Sequence, residues 1–155
     1  EQANFSVRGA VLAFAHGVEK IFQFTYSDGA GPLTDKESHF GILRYAADLG
    51  PEETAEPKPA YFAFQTMSRL LSGTRFDRDL REEVHLPDDT YAFAFRKLDG
   101  TADVVVAWST SPQSHRLNLD KTPKRVVSVL GDEITVEGPY VTVSEAPVYA
   151  VLPRH

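Results

Sequence analysis

His16, His39, His85, His115 and His155 are scattered along the chain, and no two stand at the i,i+4 spacing with which one helix face holds zinc. No metal site is read from them. Serine, histidine and aspartate are all present, but no Gly-x-Ser-x-Gly turn occurs to raise a serine at a strand end, so a serine-hydrolase mechanism has no anchor. Asp28-Gly29-Ala30-Gly31-Pro32 is glycine-rich, yet it lacks the Lys-Ser/Thr on a following helix that a phosphate loop needs. Glu52, Glu53 and Glu56 make an acidic run with no histidine near enough in sequence to complete a ligand set, and they read as a solvated surface. Trp108, after a valine run, reads first as core and second as an aromatic platform for a sugar. No cofactor is implied by any of these patterns.

Composition narrows the partners. The chain has 155 residues, a formal net charge of -6 and no Lys/Arg-rich run, which argues against a nucleic-acid backbone as partner. No apolar run approaches the roughly 20 residues that cross a bilayer, so no membrane-spanning segment is expected. With no cysteine, disulfides, thiolate nucleophiles and Cys-ligated metals are excluded, while the compartment stays open between secreted, periplasmic and other locations.

The elements that would position any chemistry fall into two unlike halves around the stretch EPKPAYFAFQTMSRLLSG. Pro57 and Pro59 hold the chain extended until a helix can begin at Pro59, apolar residues then recur at three- and four-residue spacings, and Gly73 supplies the cap. Before it, Glu1 to His16 reads as a helix ended by Gly17, and Ile21 to Tyr26 as a buried strand of β-branched and aromatic residues. Ser27 to Pro32 breaks that strand, and the loop runs on through Glu37. His39 to Leu43 reads as a turn or short strand, and Asp48 to Glu56 as a polar surface loop. The opening inside a helix, on Glu1, gives the expectation of a fragment.

After Gly73 the pattern is one of short segments between turn residues: 74–85, 91–98, 103–109, 114–119, 125–129, 133–136, 140–143 and 147–152. Such spacing predicts an antiparallel sandwich or barrel, with hairpin turns at Asp99-Gly100 and Gly131-Asp132. Tyr91 to Phe95 alternates large and small as a half-buried strand would, and Val104 to Trp108 reads as a central strand buried on both faces. The boundary between the halves is placed between Leu71 and Arg75.

GVEKIFQFTYSDG, then HFGILR, then KPAYFAFQTMSRLLSG resemble the last portion of a (β/α)8-barrel glycoside hydrolase of the clan A type, and VVVAWST and APVYAVLP resemble strands of its appended β-sandwich. The resemblance implies an α+β chain. Residues 1–73 would be a barrel segment of helix, strand, loop and helix, tethered by the helix 59–72, and residues 74–155 an antiparallel sandwich of about eight strands. It also implies hydrolysis of O-glycosidic bonds by two carboxylates, about 5 Å apart in a retaining enzyme. By the family pattern both would lie upstream of Glu1, so no catalytic residue is nominated in this chain. Many relatives have a tryptophan floor under the sugar where Gln23 stands here; Gln23 offers a hydrogen bond to a hydroxyl but no stacking surface. Asp28 sits where the family often has an acidic residue, either binding a sugar hydroxyl or capping the loop before Gly29. The partners so implied are carbohydrate and the missing barrel portion, or a partner chain supplying it. The rival expectation is a complete, non-catalytic β-sandwich module for carbohydrate binding or structural support.

Overall fold

The computed structural model describes residues 1–32, 34–45, 56–81 and 83–154. Helix α1 (Gln2–Ala15) and helix α2 (Pro59–Leu71) precede seven strands: β1 (Thr74–Asp79), β2 (Thr90–Lys97), β3 (Ala102–Ser109), β4 (His115–Asn118), β5 (Arg125–Ser128), β6 (Tyr140–Val143) and β7 (Val148–Pro153). A 3-10 turn, Lys36–His39, lies in the long connection between the helices. The architecture is α+β, with helices followed by two antiparallel sheets, as the sequence predicts. One sheet has the order β1-β2-β3-β7-β5 and the other pairs β4 with β6.

Three layers result. Ala3, Val7, Ala10 and Val11 on α1 and Ala63, Met67, Leu70 and Leu71 on α2 recur at helical spacing, and they share one core with Phe93, Phe95, Val104, Val106, Trp108 and Tyr149 of the large sheet. The alternate residues of the same strands, Ala92, Ala94, Val105, Ala107 and Ala150, pack on the other side against Leu117, Val141 and Val143 of the small sheet. β2 therefore turns its large residues to the helices and its alanines to the small sheet. It is covered on both faces, not half-buried as expected, because the second sheet needs only alanine-sized space to approach. β3 is the central strand its valine run predicts. Trp108 is 1% exposed and stacks on Tyr91 with centroids 5.3 Å apart, so it belongs to the core and offers no platform to a sugar. Burying a side chain of this size is worth about 3 kcal/mol.

The caps follow from sequence. Pro59 opens α2 after the extended Lys58, and Gly73 follows Ser72 with a φ of +64°, a backbone geometry that would strain any residue with a Cβ. The Asp99-Gly100 hairpin forms as predicted, with Asp99 Oδ1 accepting from the Thr101 amide at 3.0 Å and joining β2 to β3 in register. At Gly131-Asp132 the turn forms but the strand after it does not: Glu133 makes a single bridge to Val127, and residues 134–136 carry no ladder. The first predicted β segment also ends early, at Asp79, after which Leu80 turns inward.

The largest departure lies at Ile21 to Tyr26. The sequence predicts a buried strand there, whereas the segment is irregular and exposed. The physical reason is the lack of a neighbour. Among the described residues no backbone N–H from Glu19 to Ser27 donates to another backbone carbonyl, and a strand has no stability of its own without a ladder.

Candidate functional site

The two residues singled out by sequence, Gln23 and Asp28, flank the point where this exposed segment is tied to the rest of the molecule. Asp28 donates its amide to the Leu43 carbonyl at 2.9 Å, while the amides of Ile42 and Leu43 both donate to Tyr26 O at 3.1 Å. Lys58, the residue before α2, donates its own amide to Ile42 O at 2.9 Å. The phrase HFGILR thus lies between the 26–28 stretch and the start of the helix. Gly41 sits against the 27–28 backbone so closely that a Cβ there would stand 2.2 Å from the Asp28 nitrogen. Only glycine fits this crossing.

The charges at the crossing are internally matched. The Lys58 ammonium donates to both Asp28 carboxylate oxygens, at 3.0 and 3.1 Å, and to the His39 carbonyl at 3.0 Å. The Asp28 and Lys58 side chains are only 9% and 16% exposed, so this is a mostly buried ion pair. His39 stands with Nδ1 3.9 Å from Asp28 and Nε2 3.1 Å from the Pro32 carbonyl. In the adjoining loop Ser38 Oγ donates to Asp35 at 2.6 Å, and that hydrogen bond holds the Asp35 carboxyl below the usual carboxylate range.

Gln23 is exposed. Its amide nitrogen donates to Phe24 O at 3.1 Å and Phe40 O at 3.3 Å, and Gln2 from α1 reaches the same Phe40 carbonyl at 3.0 Å. Two glutamine amides therefore pin the Phe40 turn between α1 and the segment. The Gln23 amide oxygen is left as an acceptor. Around this anchor the side chains turn outward: Phe22 is 87% exposed, Phe24 80% and Tyr26 66%, with Ile21 and Phe40 also exposed.

Chemically, the crossing supplies one carboxylate already neutralised by an ammonium. Among the described residues the ionisable side chains paired with Asp28 are Lys58 and His39, not a second carboxylate. Among the described residues no group of three or more His, Asp or Glu is placed to hold a metal ion. His115 lies 3.3 Å from Asp89. Glu52, Glu53 and His155 lie outside the described residues, and Glu56 pairs with Arg44 at 3.0 Å on the surface. Lys58 and Gln2 are the participants that sequence reasoning missed. Lys58 is in view inside KPAY as part of a helix start and of the resemblance, but nothing in the spacing ties its charge to an aspartate 30 positions earlier. No helix of the described residues is long and apolar enough to cross a membrane. No protein-family model matches the chain, and no curated protein matches it.

Proposed function

We propose that this chain is the closing and buttressing part of a barrel-type glycoside hydrolase. Residues Ile21 to Tyr26 would supply the last barrel strand, and the helix-backed sandwich holds that segment in place. The observation that carries the reading is the contrast within one chain. The helices and sheets bury their apolar residues, while Ile21, Phe22, Phe24 and Tyr26 stand in water on a backbone whose amides have no ladder partner. Three aromatic side chains, with Ile21 and Phe40, are left exposed there, and exposed apolar surface of this kind marks a contact with something else. Sequence resemblance supplies the name of what would cover it. In this reading Asp28 orders the loop through Lys58, Gln23 keeps one amide oxygen for a sugar hydroxyl, and the two reacting carboxylates belong to the absent part of the barrel.

The chain alone is therefore expected to hydrolyse no aryl glycoside. Turnover by the purified 155-residue chain that a point change within it abolishes would overturn this. The deciding experiment is to read the coding sequence upstream of Glu1. Further strand-helix units in frame, with a strand ending in Glu before this helix, support the proposal. A start codon or an export signal directly upstream sinks it.

One observation favours the second reading, a self-sufficient non-catalytic module: α1 packs into the same core as α2 and the large sheet, so that body closes without help. On that reading the exposed aromatics are themselves a ligand surface, and affinity electrophoresis against soluble polysaccharides should retard the chain.

A further inference from the structure

Away from the crossing, the C-terminal ends of α1 and α2 and the start of β1 surround an open cleft of about 740 Å³. Its floor is apolar: Phe14 from α1, Met67 and Leu71 from α2, Phe76 from β1 and Phe95 from β2, the last two rings 5.8 Å apart. Size and lining are those of a small-molecule pocket. Its rim carries two charges, Arg75 and Glu19, both exposed. Neither side chain has a hydrogen bond or ion pair among the described residues.

Two helix C-termini point partial negative charge at such a place and would ordinarily repel an anion. Here several of those carbonyls are already engaged. Leu71 O accepts from Thr74 Oγ1 and Ser72 O from the Lys97 ammonium, each at 2.7 Å. At the end of α1 the carbonyls of Leu12, Ala13 and Phe14 accept from the amides of His16, Val18 and Gly17. What remains to recognise a ligand is an apolar floor and an uncommitted guanidinium, whose planar fork matches a carboxylate.

We propose that this cleft binds an amphipathic monoanion of the aliphatic carboxylate class, its chain lying over Phe14, Met67, Leu71, Phe76 and Phe95 and its carboxylate on Arg75. The site uses none of the 21–26 side chains, although Val18 and Glu19, which lead into them, form one edge of it.

The test is calorimetric titration of the chain with sodium decanoate below its micelle-forming concentration, with decanol and butyrate as comparators. Saturable one-to-one binding of decanoate is expected, weaker for decanol and undetectable for butyrate. Arg75→Gln should weaken decanoate about fivefold, the upper range for an exposed ion pair, and Glu19→Gln should tighten it. Ser68→Trp, at an exposed α2 position on the cleft wall, should block the site without disturbing the core. The double change Phe22→Ser with Phe24→Ser should leave binding unaltered. The proposal is overturned by any of four results: no saturable binding, binding that survives Ser68→Trp, binding indifferent to Arg75→Gln, or binding lost with the two phenylalanines.

Discussion

At Asp28 the carboxylate gains two hydrogen bonds from one ammonium in a place that water scarcely reaches, so the pair matters more when broken than when absent. Asp28→Ala leaves the Lys58 charge with only a carbonyl, and should cost roughly 3 kcal/mol of unfolding free energy in urea titration. Asp28→Ala with Lys58→Ala should cost less than the single change; a double variant that loses the sum of both singles would show that the pair is no unit. Tyr149 presents the opposite case. Its hydroxyl is buried without a hydrogen-bond partner among the described residues, and burial pushes the phenol well above its ordinary range. A raised folded value means stability is full below the unfolded phenol's value near 10 and is lost as pH rises beyond it. Tyr149→Phe should therefore be neutral or stabilising by about 1 kcal/mol at pH 7 and should flatten the alkaline limb of the stability curve. An unchanged alkaline limb in that variant would count against the assignment. A loop-ordering role for Asp28 is one of the two readings its sequence offers, but its Lys58 partner is not legible there; likewise periodicity places Tyr149 in a strand, but whether its hydroxyl finds a partner depends on helices more than 75 residues away in the chain.

Elements that carry their own instructions formed where the sequence put them. α2 has proline at its start, glycine after its end and one apolar stripe between, and β2 and β3 are joined by a turn whose aspartate caps itself. The segment Ile21 to Tyr26 has the composition of a strand but no ladder to join, and Glu133 to Val136 fails in the same way past its single bridge. Strand propensity states a preference for a pleated, half-buried surface and cannot create one. The connection through Gly41 is instead fixed by steric fit, which a reading of turn residues did not single out. A Cβ at position 41 meets the Asp28 nitrogen at 2.2 Å and the Ser27 carbonyl carbon at 2.3 Å, both backbone atoms that have no rotamer to give way. Gly41→Ala should therefore destabilise the chain by about 1–3 kcal/mol. It should also speed hydrogen exchange at the amides of Asp28, Ile42 and Leu43, which bond across the crossing. If those three amides keep their protection while global stability falls, the crossing is not what Gly41 maintains.

For the whole molecule the question is what a body with closed helix–sheet and sheet–sheet cores does with an open apolar margin at residues 21–26. The core between helices and sheet and the core between the two sheets are each continuous, and neither includes Phe22, Phe24 or Tyr26. Removing those rings should thus cost the fold little while changing how the molecule meets others. The chain should bind a hydrophobic dye and self-associate at micromolar concentrations, because unladdered backbone beside exposed aromatic side chains offers a template to a second chain. Phe22→Ser with Phe24→Ser should abolish most dye fluorescence and return the chain to the elution volume of a monomer. Its midpoint of thermal unfolding should stay within a few degrees of the parent, since exposed positions outside the core seldom shift stability by more than about 0.5 kcal/mol. A large fall in the midpoint would mean that the two phenylalanines hold the body together and are not a margin awaiting cover. A parent chain that is monomeric and silent to dye would leave the sandwich self-sufficient, and would remove the observation on which the barrel-closing role rests.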